Sequence, residues 1–228
     1  MTYVISDIHG CYGKYIKMLE KICFSDGDTL YVLGDVIDRG EDGIRIVQDM
    51  TERKNVIPIL GNHEYTALPV FRLITKYSAI SDRAIGPAYN AMWMANGGEP
   101  TKKAFLELSD EERKKVLKYV ESFTVFDEVT VGKKTFHLSH TLPYYDPERD
   151  IHDVSVFDFV WGEPDYDKRY DPEKIFITGH TPTGFIDPNC NGRIWRKNGH
   201  IAIDCGAVFG NPLGCICLET MEEVYTED

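Results

Sequence analysis

Near its start the chain alternates short apolar runs with stretches of helical spacing. Tyr3-Val4-Ile5 runs into Ser6-Asp7, after which Tyr12, Tyr15, Ile16, Leu19 and Cys23 recur at helical intervals. Leu30-Tyr31-Val32-Leu33 ends at Gly34-Asp35, a helical pattern follows through Ile44 and Val47, and Val56-Ile57-Pro58-Ile59-Leu60 ends at Gly61-Asn62. Strand, helix, strand, helix, strand predicts a parallel sheet begun by βαβ units. Pro58 has no N–H to give to a ladder, so the third strand should lie at an edge or break there.

Residues 64–122 read as a helical insert. Ser109-Asp110-Glu111-Glu112 is a capping-box signature opening a helix with Val116, Leu117 and Val120, and Gly97-Gly98-Glu99-Pro100 breaks the insert into several helices. From Val125 the pattern turns to strands: 125–131, 134–138, 175–178, 200–204 and 214–218. Between them, residues 141–174 carry Pro143, Pro147, Pro164 and Pro172 and read as a long loop, a feature usually tied to function. With no repeat, linker or low-complexity tract, residues 1–228 are expected to form one domain.

The chemistry stands at the strand ends. The first run ends in Asp7-Ile8-His9-Gly10, the second in Gly34-Asp35-Val36-Ile37-Asp38-Arg39-Gly40, and the third in Gly61-Asn62-His63-Glu64. Parallel strands deliver such ends to one edge, where ligands bind in open α/β folds. His140 and Gly179-His180 follow two later runs. This mixed nitrogen and oxygen set, without thiolates, suits Mn²⁺, Fe or Zn²⁺ in a two-metal site. A lone D-x-H is weak by contrast. A second one, Asp150-Ile151-His152, has no strand before it and is expected on the surface.

Composition narrows the partners. The 228 residues carry a formal net charge of -12, which repels nucleic-acid backbones and anionic membranes. An anionic substrate would need cations that side-chain counting does not include. No apolar run of membrane-spanning length and no leader pattern is visible, so a cytoplasmic protein is expected. The six cysteines are scattered. Cys215 and Cys217 share a strand face but have no second pair, which predicts packed, reduced thiols.

D-x-H, G-D-x-x-D-R-G and G-N-H-E in this order resemble the calcineurin-like metallophosphoesterases, in particular the phosphoprotein-phosphatase branch that includes the phage lambda phosphatase and bacterial relatives. Ile203-Asp204-Cys205-Gly206-Ala207-Val208-Phe209-Gly210 resembles a further stretch of that branch. The resemblance implies a four-layer α/β/β/α sandwich with a helical insert. It implies two divalent metal ions, Mn²⁺ first, held by Asp7, His9 and Asp35 on one side and by Asp35, Asn62, His140 and His180 on the other. His63 would be the general acid, Asp38 its orienting carboxylate, and Arg39, with Asn62, would meet the substrate phosphate. The activity implied is phosphomonoester hydrolysis by in-line attack of metal-bound hydroxide, with a phosphoserine or phosphothreonine protein, or a small phosphoester, as substrate. The alternatives are a symmetrical dinucleoside tetraphosphatase (Ap4A hydrolase), with Tyr89, Trp93 and Phe105 either stacking a base or filling the insert core, and a non-catalytic scaffold.

Two positions depart from the branch. After its histidine the branch usually has Ala-Gly, whereas Ser139-His140-Thr141 puts Thr141 directly after His140, where it either crowds the site or shifts a loop. Glu163, two residues after Trp161, stands where a phosphate-binding arginine is usual, with Lys168 and Arg169 as candidate replacements.

Overall fold

The computed structural model describes residues 1–75 and 80–227. Two five-stranded sheets stack face to face. The first has the order β10-β9-β1-β2-β3 and the second β4-β5-β6-β8-β7. In the first, β1 (Thr2–Ile5), β2 (Thr29–Val32) and β3 (Val56–Pro58) run parallel, while β9 (Gly214–Cys217) and β10 (Glu223–Tyr225) are antiparallel additions. In the second, β5 (Lys134–Ser139), β6 (Lys174–Thr178) and β8 (His200–Ala202) are parallel, flanked by antiparallel β4 (Phe126–Val131) and β7 (Trp195–Lys197). Pro58 does stand at the edge strand, and beyond it Ile59 pairs with Thr124 only as an isolated bridge.

The period of two along each strand explains the layers. Val4, Tyr31, Leu33 and Ile216 face inward and meet Phe136, Leu138, Ile177 and Ile201 in a dry inter-sheet core. The alternate residues Ile5, Leu30 and Val32 face a helical layer holding Met18, Val47, Phe71 and Val120. That layer contains α1 (Tyr12–Lys21), α2 (Gly43–Thr51), and the insert helices α3 (Asn62–Ile74), α4 (Ile80–Ala95), α5 (Glu99–Glu107) and α6 (Asp110–Val120). On the outside of the second sheet a thinner layer packs Leu142 and Phe176 against Phe159 of α7 (Val156–Trp161). The architecture is therefore α/β/β/α.

The loop expected over residues 141–174 contains α7, which the apolar pattern did not reveal. Its six residues are too short for a periodic signal, but Ser155 caps it by accepting from the Asp158 N–H, a legible N-cap pair. Strands β7 and β10, three residues each, also escaped the pattern. All six cysteines are free thiols, with Cys215 and Cys217 buried in β9. Asp150 of the second D-x-H is exposed, and the side chain of His152 lies outside the described residues.

Candidate metal centre

The carboxyl ends of β1, β2, β5 and β6, together with the start of α3, converge across the sheet interface. His140 after β5 places Nδ1 2.7 Å from the carbonyl of Leu33 after β2. The backbone N–H of His180 after β6 donates to both carboxylate oxygens of Asp7 after β1, at 3.2 and 3.0 Å. The two sheets are thus stitched together at the residues singled out from the sequence.

The turns that carry these side chains are conformationally unusual. Of the nine described non-glycine residues with positive φ, six are Asp7, His9, Asp35, Asp38, Arg39 and His180. Left-handed backbone is costly for such residues and persists where the surroundings over-determine it, as at functional sites. Glycine makes the close approach possible. A Cβ on Gly61 would sit 2.3 Å from Asp35 Oδ1, and one on Gly179 would sit 2.1 Å from Asp7 Oδ2.

Asp35, 2 % exposed, lies at the centre. Its Oδ1 is 3.5 Å from His140 Nε2, and its Oδ2 is 3.6 Å from His9 Nε2 and 3.8 Å from His63 Nε2. One oxygen faces each half of the site, as a bridging carboxylate requires. Two groups of ligand atoms close enough to hold a metal follow: His9, Asp35 and His63, and Asp35, His140 and His180. Asn62 Oδ1 joins the second group, 2.9 Å from His140 Nε2 and 3.1 Å from His180 Nδ1. Asp7 belongs to neither compact group; its carboxylate takes the Ser6 hydroxyl at 2.5 Å besides the His180 amide.

Tautomers follow from the backbone. A carbonyl only accepts, so His9 Nδ1, 3.0 Å from the Ile37 carbonyl, carries its proton, as does His140 Nδ1 on Leu33. Both rings therefore turn a lone pair on Nε2 into the cluster. At His140 that lone pair faces the Asn62 carbonyl oxygen, an acceptor, and a bound cation would remove the repulsion. At His9 it receives Arg39 Nη1 at 2.6 Å, so Arg39 and a cation compete for the same atom.

The electrostatics fit two divalent ions. Burial, then the neighbouring Asp204, pushes Asp7 well above the usual carboxylate range; burial, then Asp7 and Glu64, does the same for Asp35. Burial holds His9 and His140 well below the usual imidazole value and lowers His180 to about 4, so the rings stay neutral. Carboxylates short of positive charge beside neutral imidazoles form a donor set suited to borderline divalent metals.

Around this centre the helical insert braces the residues that flank the cluster. His63 Nδ1 lies 2.7 Å from Asp38 Oδ2, and the Trp93 indole N–H donates to the same oxygen at 2.7 Å. Asp38 N–H donates to Thr101 Oγ1 at 2.8 Å, and Arg39 N–H to the Gly97 carbonyl at 2.9 Å. His63 Nε2 is buried and has no hydrogen-bond partner, pointing to a group that the protein itself does not supply. Trp93 and Phe105 pack with Phe71 in the insert, at 5.4 and 3.9 Å between rings, so they fill its core. Tyr89 meets Tyr65 at 6.0 Å and is half-buried.

The third turn also supplies an anchor whose role its motif alone does not reveal. Glu64, fully buried, accepts N–H groups from Asp35, Val36, Ile37 and Gly61 at 2.9 to 3.2 Å, tying the second turn to the third. Its place in Gly-Asn-His-Glu, three residues after a helix N-cap, was the available signal. Of the two departures, Thr141 does not reach toward the cluster: its hydroxyl donates to the Gly162 carbonyl at 3.0 Å, fastening the segment after α7. Glu163 is exposed. Arg169 donates to the carbonyls of Asp171 and Pro172 at 3.0 and 2.7 Å, a loop-bracing role, and Lys168 is exposed. No described helix is long and apolar enough to cross a membrane.

Comparison with known proteins follows the same line. A stretch of 71 residues is 42% identical to the symmetrical bis(5'-nucleosyl)-tetraphosphatase of Buchnera aphidicola, covering 30% of this chain and 26% of that protein. Over 79 residues it is 40% identical to the enzyme of that name from Escherichia coli, covering 33% and 28%. The matched part thus spans about a quarter of the length of these relatives. Among solved structures, one provisionally assigned as a diadenosine tetraphosphatase superposes with a TM-score of 0.69 at 15% identity, covering 98% of this chain and 91% of that one. A serine/threonine phosphatase from Saccharomyces cerevisiae superposes at 0.56 and 13%, covering 94% and 71%. At these identities the structural likeness is one of fold. The model of the calcineurin-like phosphoesterases matches residues 2–209, nearly the whole chain, and the chain belongs to that metal-dependent family.

Proposed function

We propose that this chain is a two-metal phosphoesterase acting on a symmetrical dinucleoside tetraphosphate, releasing two nucleoside diphosphates. The observation that carries the two-metal reading is Asp35, whose oxygens face the two ligand groups separately. What supports the nucleotide over a phosphoprotein is the 40–42% identity shared with the symmetrical tetraphosphatases. The phosphoprotein substrate first expected from the motifs becomes the competing outcome.

Asp7, His9 and Asp35 would hold one ion, and Asp35, Asn62, His140 and His180 the other. Bound there, the ions would supply positive charge and acidify water near neutrality. Arg39, exposed at the rim, clamps the phosphate with its planar fork of donors. Asp38 accepts the Nδ1 proton of His63 and so aims Nε2 into the cluster, where it delivers a proton to the departing phosphate oxygen. Trp93 keeps the Asp38 carboxylate in place from behind. The -12 charge of the chain and an anionic substrate are compatible because two bound divalent ions would make the crevice positive.

The test loads the chain with Mn²⁺ and compares diadenosine tetraphosphate with a phosphoserine peptide. ADP as sole nucleotide product, lost in Asp35→Asn, is expected. A kcat/KM larger for the peptide would replace the substrate reading, and inactivity toward every phosphoester would leave the scaffold. His63→Asn separates proton donor from ligand: both metals stay and kcat falls roughly 100-fold or more. A drop to one metal by elemental analysis would instead make His63 a ligand alongside His9 and Asp35.

A further inference from the structure

Beside the metal centre runs a groove of about 370 Å³ that the mechanism above does not use. Its walls are Phe185 and Phe209 with Pro182 and Pro188, and Asn191 and Asn211 lie along it. Phe185 is 82% and Phe209 64% exposed, which is unusual for two large rings on one groove. We propose that this groove is the base-binding subsite, taking the purine of one nucleoside while its phosphates lie at Arg39. This rests on the phosphoesterase reading and adds the recognition element that reading lacks.

Three features argue for it. First, Arg39 joins the two places. Its Nη1 is 2.6 Å from His9 Nε2, and its guanidinium carbon is 5.5 Å from the centre of the Phe209 ring. A phosphate on Arg39 therefore carries its nucleoside toward Phe209. Second, the Phe209 wall is built and braced. Gly206 and Gly210 take φ of +78° and +93° on either side of it, and Lys14 Nζ donates to the Ala207 carbonyl at 2.9 Å and also to that of Asn211. Gly206 N–H donates to Asp204 at 2.8 Å. A braced loop that exposes an aromatic ring suits stacking on a flat ligand. Third, the groove has polar groups of the right kind. Asn211 Nδ2 donates to Asn191 Oδ1 at 3.1 Å, and the pair retains a carbonyl acceptor and amide donors, the combination that matches a purine edge. The chemistry is that of a small-molecule site: apolar walls, few polar groups, and a volume in the usual range of roughly 300–1,000 Å³.

The test is equilibrium binding by calorimetry to the Mn²⁺-loaded chain, comparing methylenediphosphonate with adenosine 5'-(α,β-methylene)diphosphate. The two share their phosphorus groups and differ by the adenosine, and neither is hydrolysed at the bridge. The adenosine form should bind at least about 10-fold more tightly, since one stacked base is worth roughly 5- to 100-fold. Phe185→Ala should remove most of that preference, and Phe209→Ala a comparable part, while the affinity for methylenediphosphonate stays within twofold. Both rings are surface-exposed, so the substitutions leave the core intact. Equal binding of the two ligands by the unaltered chain overturns the proposal. So does a preference that survives both substitutions together, or a parallel loss of both affinities, which would assign the rings to the phosphate site. A chain that prefers the adenosine form yet does not cleave diadenosine tetraphosphate would unseat the substrate reading and leave the groove standing.

Discussion

The two halves of the candidate metal centre are built differently. The half on the first sheet comes from consecutive turns after β1, β2 and β3, five of its residues sit at positive φ, and the helical insert closes over it through Trp93, Thr101 and Gly97. The half on the second sheet is His140 and His180, on turns some forty residues apart, with His180 only partly buried. Local sequence assembles the first half, and sheet stacking brings the second to it. Asp35 belongs to both, and that difference ranks the expected effects of substitution.

The largest belongs to Asp35. Asp35→Asn should lose both ions and all measurable turnover, checked by elemental analysis beside the assay; retention of either ion would show that Asp35 is not shared by the two halves. His180→Asn should remove one ion and spare the other, because His9 and Asp35 keep their places, and metal content should fall from two to one per chain.

Next is a buried histidine of the second sheet outside the cluster. His200, 2 % exposed and 2.8 Å from the Thr178 hydroxyl, is lowered to about 3 by burial. Between its unfolded value near 6.5 and about 3, the unfolded chain binds a proton that the native chain refuses, so stability falls as pH falls. His200→Gln should lessen the loss between pH 7 and pH 5 by about 2 kcal/mol in denaturant titrations. An unchanged difference would place the acid sensitivity in other groups.

On the first-sheet side, Trp93→Phe keeps the ring in the insert core and deletes the donor to Asp38. It should lower kcat about 10-fold while metal content and KM hold. A purely structural role would instead lower the melting temperature and leave kcat alone. The smallest effect belongs to exposed Glu163, where Glu163→Arg should lower KM for simple phosphoesters by about 2- to 5-fold. No change would show that residue 163 does not face the substrate.

Much of this centre was legible because turns at strand ends are local. Asp7, His9, Asp35, Asn62 and His63 each follow an apolar run by a few residues, so sequence order already placed them on one edge. Trp93 illustrates the limit. Its spacing fits either a base-stacking ring or the insert core; its full burial against Phe71 places it in the core, and its 2.7 Å bond to Asp38, 55 residues away, braces the Asp38–His63 pair. Glu64 was visible in its motif without a role, because four backbone N–H groups from two turns converge on it only once the turns are adjacent. Nearness in sequence makes Arg169 and Lys168 candidates but does not fix direction, and the Arg169 fork braces its own loop.

The amino-acid order determined which chemical groups stand at the strand ends, since side-chain alternation and turn formation act over a few residues. Whether the ends of the second sheet reach those of the first was decided by the packing of Val4, Leu33 and Ile216 against Leu138, Ile177 and Ile201, a long-range burial with no local signature. The same packing turned a -12 chain into one with a crevice suited to cations and phosphate. It also left Phe185 and Phe209 exposed on a common groove, since the loops that carry them meet only when both sheets are in place.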